Sequence, residues 1–163
     1  MRFTAIVISA LTISLLLSTV ARSDENGCQV INTSIVTSFV PCPSDFPSPV
    51  GLCTAGSIGS GPLEGTTLFR ALTFDPGSGL YTGELLITTK HGMLMLADSG
   101  QLTATGGFSE TEALAGGTRS FKHVIPTLTI QGDGIVTGGS LSGFTGTIAG
   151  TICHGSDDEN NEQ

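Results

Sequence analysis

The chain has 163 residues, with 14 Asp and Glu against six Lys and Arg and a net charge of −8. So acidic a chain lacks the positive surface that nucleic acids and anionic membranes require, and neither is expected as a partner. It has no Trp and a single Tyr, Tyr81, which leaves little for a sugar site of stacked rings or an interface anchored on large aromatics.

Residues 1–23 read as an export signal. Arg2 supplies the positive start, Ala5 to Val20 form an apolar run, and Ala21-Arg22-Ser23 offers small residues for cleavage before Asp24. That run is short of the roughly 20 residues a spanning helix needs. The expected mature chain is one domain of about 140 residues with a charge near −10, free of the membrane once the leader is gone. It is expected to be secreted, to the extracellular space or to the periplasm of a Gram-negative source.

Residues 24–52 read as a Pro-rich arm, because Pro41, Pro43, Pro47 and Pro49 remove backbone donors and resist central strands. Within it, Gln29 to Val40 is rich in Val, Ile and Thr and suits one edge strand. Asn32-Thr33-Ser34 is a glycosylation sequon, so Asn32 would carry a glycan if the source is eukaryotic. Cys28, Cys42, Cys53 and Cys153 are an even set, expected to form two disulfides in an oxidising compartment. Three pairings exist. Cys28–Cys42, closing a local loop, with Cys53–Cys153, tying the start of the domain to its end, is the favoured one. No C-x-x-C occurs, and His154 sits beside Cys153 in a tail, so neither a metal site nor a cofactor is expected.

Residues 53–153 carry the β signal. Gly and Thr abound, no helical stripe exceeds two turns, and β-branched runs alternate with Gly-containing breaks. Strands are expected near 54–59, 65–75, 79–90, 93–98, 101–112, 120–131 and 134–152. Asp75-Pro76-Gly77-Ser78-Gly79 is a strong turn. Lys90-His91-Gly92, Asp98-Ser99-Gly100, Gly116-Gly117 and Gly132-Asp133-Gly134 are taken as further turns. Regular hairpins favour an antiparallel meander, and closure removes its edges. The expected fold is all-β, a small antiparallel closed barrel of about eight strands with a Pro-rich N-terminal arm; a sandwich is the competitor. Residues 154–163 form an acidic tail expected to lack order.

Three stretches together suggest a family. They are Leu80-Tyr81-Thr82-Gly83-Glu84-Leu85; Gly100-Gln101-Leu102-Thr103-Ala104-Thr105-Gly106-Gly107-Phe108 with Glu110; and Leu114-Ala115-Gly116-Gly117-Thr118-Arg119-Ser120-Phe121, followed by Gly132 and Gly143-Phe144-Thr145-Gly146-Thr147-Ile148. Over roughly residues 54–152 the chain resembles the barrel superfamily of the allene oxide cyclases, the plant dirigent proteins and their bacterial relatives. The resemblance implies an eight-stranded antiparallel barrel. It also implies a disulfide joining the two ends of the barrel, as Cys53–Cys153 would. The chain departs from the family pattern at Arg119, where Gly is usual, and at Pro126, near another expected Gly.

Candidate cavity residues follow from alternation. Arg70 shares a face with Leu68, Leu72 and Phe74 in Leu68-Phe69-Arg70-Ala71-Leu72-Thr73-Phe74. If that face lines the barrel, the guanidinium needs a carboxylate partner, with Glu84, Glu110 and Asp98 as candidates; if it faces outward, Phe69 and Ala71 are inside. Glu84 has the same ambiguity, and an Arg70–Glu84 pair is more often structural than catalytic. His123 shares a face with Phe121 and Ile125 and suits a core histidine or a proton carrier. Met93-Leu94-Met95-Leu96 suits barrel wall or the contact of a homo-oligomer. Three functions stay open: a dirigent-like barrel binding a small apolar molecule without bond chemistry, a packed structural or effector protein with no ligand, and a cyclase or isomerase using the cavity.

Overall fold

The computed structural model describes residues 27–155, so the expected leader and nearly all of the acidic tail lie outside the described residues. Eight strands follow one another: β1 (Cys28–Val40), β2 (Cys53–Ile58), β3 (Gly65–Phe74), β4 (Leu80–Thr89), β5 (Gly92–Leu102), β6 (Gly107–Gly117), β7 (Val124–Thr137) and β8 (Ser140–His154). Each pairs antiparallel with the next, and β1 pairs with β8, which closes the barrel. The closure gives every strand a partner on both sides, which removes the open sheet edges of a Thr- and Val-rich meander that could otherwise template other chains.

Period-two alternation decides what is inside. Ile31, Thr33, Ile35 and Thr37 of β1 are buried, as are Tyr81, Leu85 and Ile87 of β4 and Val124, Leu128 and Ile130 of β7. The turns separate into two ends. The β2–β3, β4–β5 and β6–β7 connections lie with both termini, and Leu63, fully buried, with Phe121 and Val124 seals that end. The β1–β2, β3–β4, β5–β6 and β7–β8 connections surround the other end, which is the mouth.

The barrel begins earlier than the composition of its N-terminal segment suggests. Residues 28–40 are not an outlying edge strand: β1 pairs along its length with β8 and over six positions with β2. Its alternation of Ile and Thr with exposed residues overrides the pull of the prolines, which fall after it. Only 41–52 forms a Pro-rich connection.

The disulfide pairing differs from the favoured one in the same way. The bonds are Cys28–Cys153 and Cys42–Cys53. Cys28 lies opposite Cys153 because β1, not β2, meets the last strand. Cys42 lies just past the end of β1 and Cys53 starts β2, so their bond closes the Pro-rich loop. Two cystines suit an oxidising compartment.

Two expected turns are strand interior. Gly100 pairs with both Tyr81 and Glu110 within β5, and Gly132 and Gly134 lie within β7. At Gly132 a Cβ would stand 2.0 Å from the Thr145 carbonyl oxygen, so this glycine permits close approach of backbone rather than a turn. The hairpin itself is at Gly138-Gly139, both with positive φ.

At the sealed end the wall opens between β6 and β7. Their pairing stops at Glu112 opposite Leu128, although β6 continues beside β5 to Gly117. Pro126 occupies this unpaired stretch, where a missing N–H costs no ladder bond on the β6 side. A 3₁₀ turn, Arg119–Phe121, fills the gap with the buried Phe121 ring. Arg119 has φ +52°, the left-handed region that a glycine occupies without strain.

Candidate functional site

The mouth leads into a cavity of about 60 Å³ walled by Ile35, Leu85, Ile130, Phe69, Phe108 and Phe144, with Asp98 and Glu110 in its lining. Phe144 meets Phe39 and Phe108 edge-on at 5.6 and 5.2 Å between centroids, and Phe69 meets Tyr81 edge-on at 6.2 Å. These geometries are the favoured ones for aromatic pairs and hold the walls in place.

The polar part is built from three neighbouring strands. On β6, Glu110 and Glu112 are two residues apart and share the inward face. On β5, Asp98 is directly opposite Glu112. On β4, Tyr81 is opposite Gly100, which is in turn opposite Glu110. The Tyr81 hydroxyl donates to Glu110 Oε1 across that glycine. One carboxylate oxygen from each of Asp98, Glu110 and Glu112 lies within 4.8 Å of the other two. Asp98 is 3 % and Glu112 7 % exposed, and all four of their carboxylate oxygens lack a hydrogen-bond partner.

Electrostatics follow from that placement. Burial, reinforced by repulsion from Glu110, pushes Asp98 up to about 8. Burial raises Glu110 to about 7 against the opposing effect of the Tyr81 hydrogen bond. Burial, then the charges of Asp98 and Glu110, raise Glu112 to about 10. Tyr81 is pushed far up by burial and by the Glu110 charge. The three carboxyls titrate as one set.

Of the expected cavity residues, Asp98 and Glu110 come together here. Arg70 and Glu84 do not. They pair opposite each other on β3 and β4, each 23 % exposed, with Arg70 Nη2 2.6 Å from Glu84 Oε2, on the outer wall. Phe69 and Ala71 are the inward neighbours, and a bulge between Ala71 and Thr73 then turns Phe74 toward the mouth. Arg70 instead fastens the Pro-rich loop. Its Nη1 donates to the Pro47 carbonyl at 3.1 Å, and its guanidinium stacks 4.4 Å from the Phe46 ring centre. Ser48 Oγ adds a 2.6 Å hydrogen bond to the Ala71 carbonyl. His123 is exposed at the sealed end, because the 3₁₀ turn breaks the alternation and the strand starts only at Val124. Asn32 points outward from β1.

Tyr81, Gly100 and Glu112 were not among the expected site residues. The signal was present for Glu112 in Glu110-Thr111-Glu112, whose spacing puts both carboxyls on one face of a strand. No family model, curated protein or solved structure matches the chain.

Proposed function

We propose that this protein is a secreted barrel that holds a small, largely apolar molecule end-on in its mouth, without bond chemistry, in the manner of the dirigent proteins. The observation that carries this reading is the contrast within the cavity. Its walls are aliphatic and aromatic, and its floor offers Tyr81, Glu110 and Asp98 as convergent polar groups. At about 60 Å³ it takes the polar head of a ligand, while the rest lies against exposed rim rings such as Phe39 and Phe74. A head bearing a hydrogen-bond acceptor suits a floor in which burial holds the Asp98 carboxyl protonated.

Two features support kinship with the allene oxide cyclase and dirigent barrels. One is the closed eight-stranded meander. The other is Arg119, whose left-handed backbone is the one a glycine would adopt at the position where the family usually has it. The leader-like start and two disulfides support secretion.

The test is a thermal-shift panel of small apolar and phenolic compounds, read in parallel through Tyr81 emission. Tyr81 is the sole Tyr in a Trp-free chain, so its fluorescence reports on this site alone. Binders should raise Tm and change the emission together. A panel with neither effect would leave the packed structural protein as the better reading.

A second reading, a cyclase or isomerase, is favoured by one observation. Glu110 and Asp98, titrating near neutrality beside a phenol, form a proton donor and acceptor set facing an apolar space. Conversion of a bound compound that is lost in Glu110→Gln, with binding retained, would select it.

A further inference from the structure

We propose that Asp98, Glu110 and Glu112 form a binding site for one hard cation of the Ca²⁺ type, reached through the mouth of the barrel. No metal is expected from the spacing of residues along the chain. The site arises only when two neighbouring strands, β5 and β6, bring the carboxylates together. The inference does not depend on an organic ligand: the ion would take Asp98 and Glu110 as carboxylates at the cavity floor, and an ion-loaded floor would meet a ligand oxygen as a cation rather than as a proton donor.

The geometry suits a single ion. Ca²⁺ binds oxygen at roughly 2.3–2.6 Å, so oxygens on opposite sides of it stand about 5 Å apart. One oxygen from each of the three carboxylates, within 4.8 Å of the others, falls inside that span. The donors are all oxygen, with no His or Cys in the group, which selects hard cations over zinc and copper.

Burial is the independent observation. Asp98 and Glu112 are more than nine-tenths buried, and none of their four carboxylate oxygens has a hydrogen-bond partner. Buried carboxylates are ordinarily paired, hydrogen-bonded or bound to metal. The protein supplies no compensating charge: among the described residues the one Lys or Arg ion pair is Arg70–Glu84, on the outer wall. Glu110 alone is engaged, by Tyr81. The cation would satisfy oxygens that the fold leaves without partners. Asp98 and Glu110 line the cavity, which gives an entry path and room for water in the remaining coordination positions.

Tyr81 provides the readout. A lanthanide replacing Ca²⁺ emits when a nearby phenol transfers its excitation, and this chain has one phenol, bonded to a proposed ligand. The full-length protein, freed of metal with chelator, is titrated with Tb³⁺. Sensitised emission should saturate at one ion per chain, Ca²⁺ should reverse it, and Ca²⁺ alone should raise Tm. Asp98→Asn and Glu112→Gln should each weaken Tb³⁺ affinity at least tenfold. Tyr81→Phe should abolish the emission while keeping the Ca²⁺-dependent rise in Tm.

Absence of both sensitised emission and a Ca²⁺ effect on Tm in the unaltered protein would overturn the proposal. So would undiminished Tb³⁺ affinity in Glu112→Gln, which would place binding elsewhere, as on the acidic residues Asp157, Asp158 and Glu159. Should Asp98→Asn fail to fold, Glu112→Gln alone carries that comparison. A negative organic panel leaves the Tb³⁺ result standing, so the two readings fail separately.

Discussion

Tyr81 and Glu110 are hydrogen-bonded across an intervening strand, and the residue between them is Gly100. A Cβ at position 100 would stand 2.6 Å from the Tyr81 ring and hydroxyl and 2.8 Å from Glu110 Cγ. Gly100→Ala is therefore expected to push the phenol aside and to destabilise by about 1–3 kcal/mol, the usual range for overpacking. Tyr81→Phe removes the hydroxyl without a clash and leaves Glu110 short of a partner, costing about 1–3 kcal/mol. Urea unfolding gives both costs. Ultraviolet titration of Tyr81 separates them from a general loosening: its ionisation, held well above the ordinary range, should move back toward it in Gly100→Ala.

The carboxyl cluster makes stability depend on pH in an uncommon direction. All three folded pKa values are raised above those of the unfolded chain, so the unfolded state releases its protons first. The contribution is fully present below about pH 4 and is lost as pH rises through about 7 to 10. In chelator-treated protein, stability should fall between pH 5 and pH 8. Glu112→Gln removes one titrating group and should flatten that fall by about 1.4 kcal/mol per pH unit. The variant should thus exceed the parent in stability at pH 8. Denaturant midpoints at several pH values decide it, and parallel profiles would contradict the assignment.

The two disulfides differ in the length of chain they close. Cys28–Cys153 spans 125 residues and Cys42–Cys53 spans 11. Chain-entropy reasoning gives about 5 kcal/mol for the first and about 3 kcal/mol for the second. Replacing each pair with serine should follow that order in unfolding measurements. Peptide mapping without reductant should recover Cys28 joined to Cys153; Cys28 joined to Cys42 would refute the strand order at the seam.

Arg70 is expected to govern the Pro-rich loop rather than the cavity. Arg70→Ala loses two hydrogen bonds to Glu84 and one to Pro47, and it uncovers Phe46. The cost should be about 1–2 kcal/mol, since the pair is partly exposed. Arg70→Lys should recover little, because an ammonium cannot reproduce the fork. Hydrogen exchange should quicken in residues 43–52 and stay unchanged in β5 and β6.

The closed eight-stranded barrel was legible because alternation and turn residues agree along most of the chain. Where they conflicted, local chemistry misled. Asp98-Ser99-Gly100 looks like a turn, yet Gly100 is strand interior because a ring must pass over it. Gly132-Asp133-Gly134 fails likewise, since its glycines admit close neighbouring backbone or side chains. The direction of Arg70 was undecidable from alternation alone: Leu68 and Leu72 make the outer face apolar too, and only closure settles which side is in. Asp98 and Glu110 were both found, but as rival partners for Arg70. That they instead face one another depends on strand register, which no local pattern encodes.

Both ends of the described chain leave the barrel at the sealed face, held together by the Cys28–Cys153 bond, while the mouth opens opposite. The described chain therefore enters and leaves the barrel on the face away from the cavity. An attachment made at residue 27 or residue 155 would hold the barrel by that face and leave its mouth toward solution. The barrel is in this sense a cup with its handle at the base.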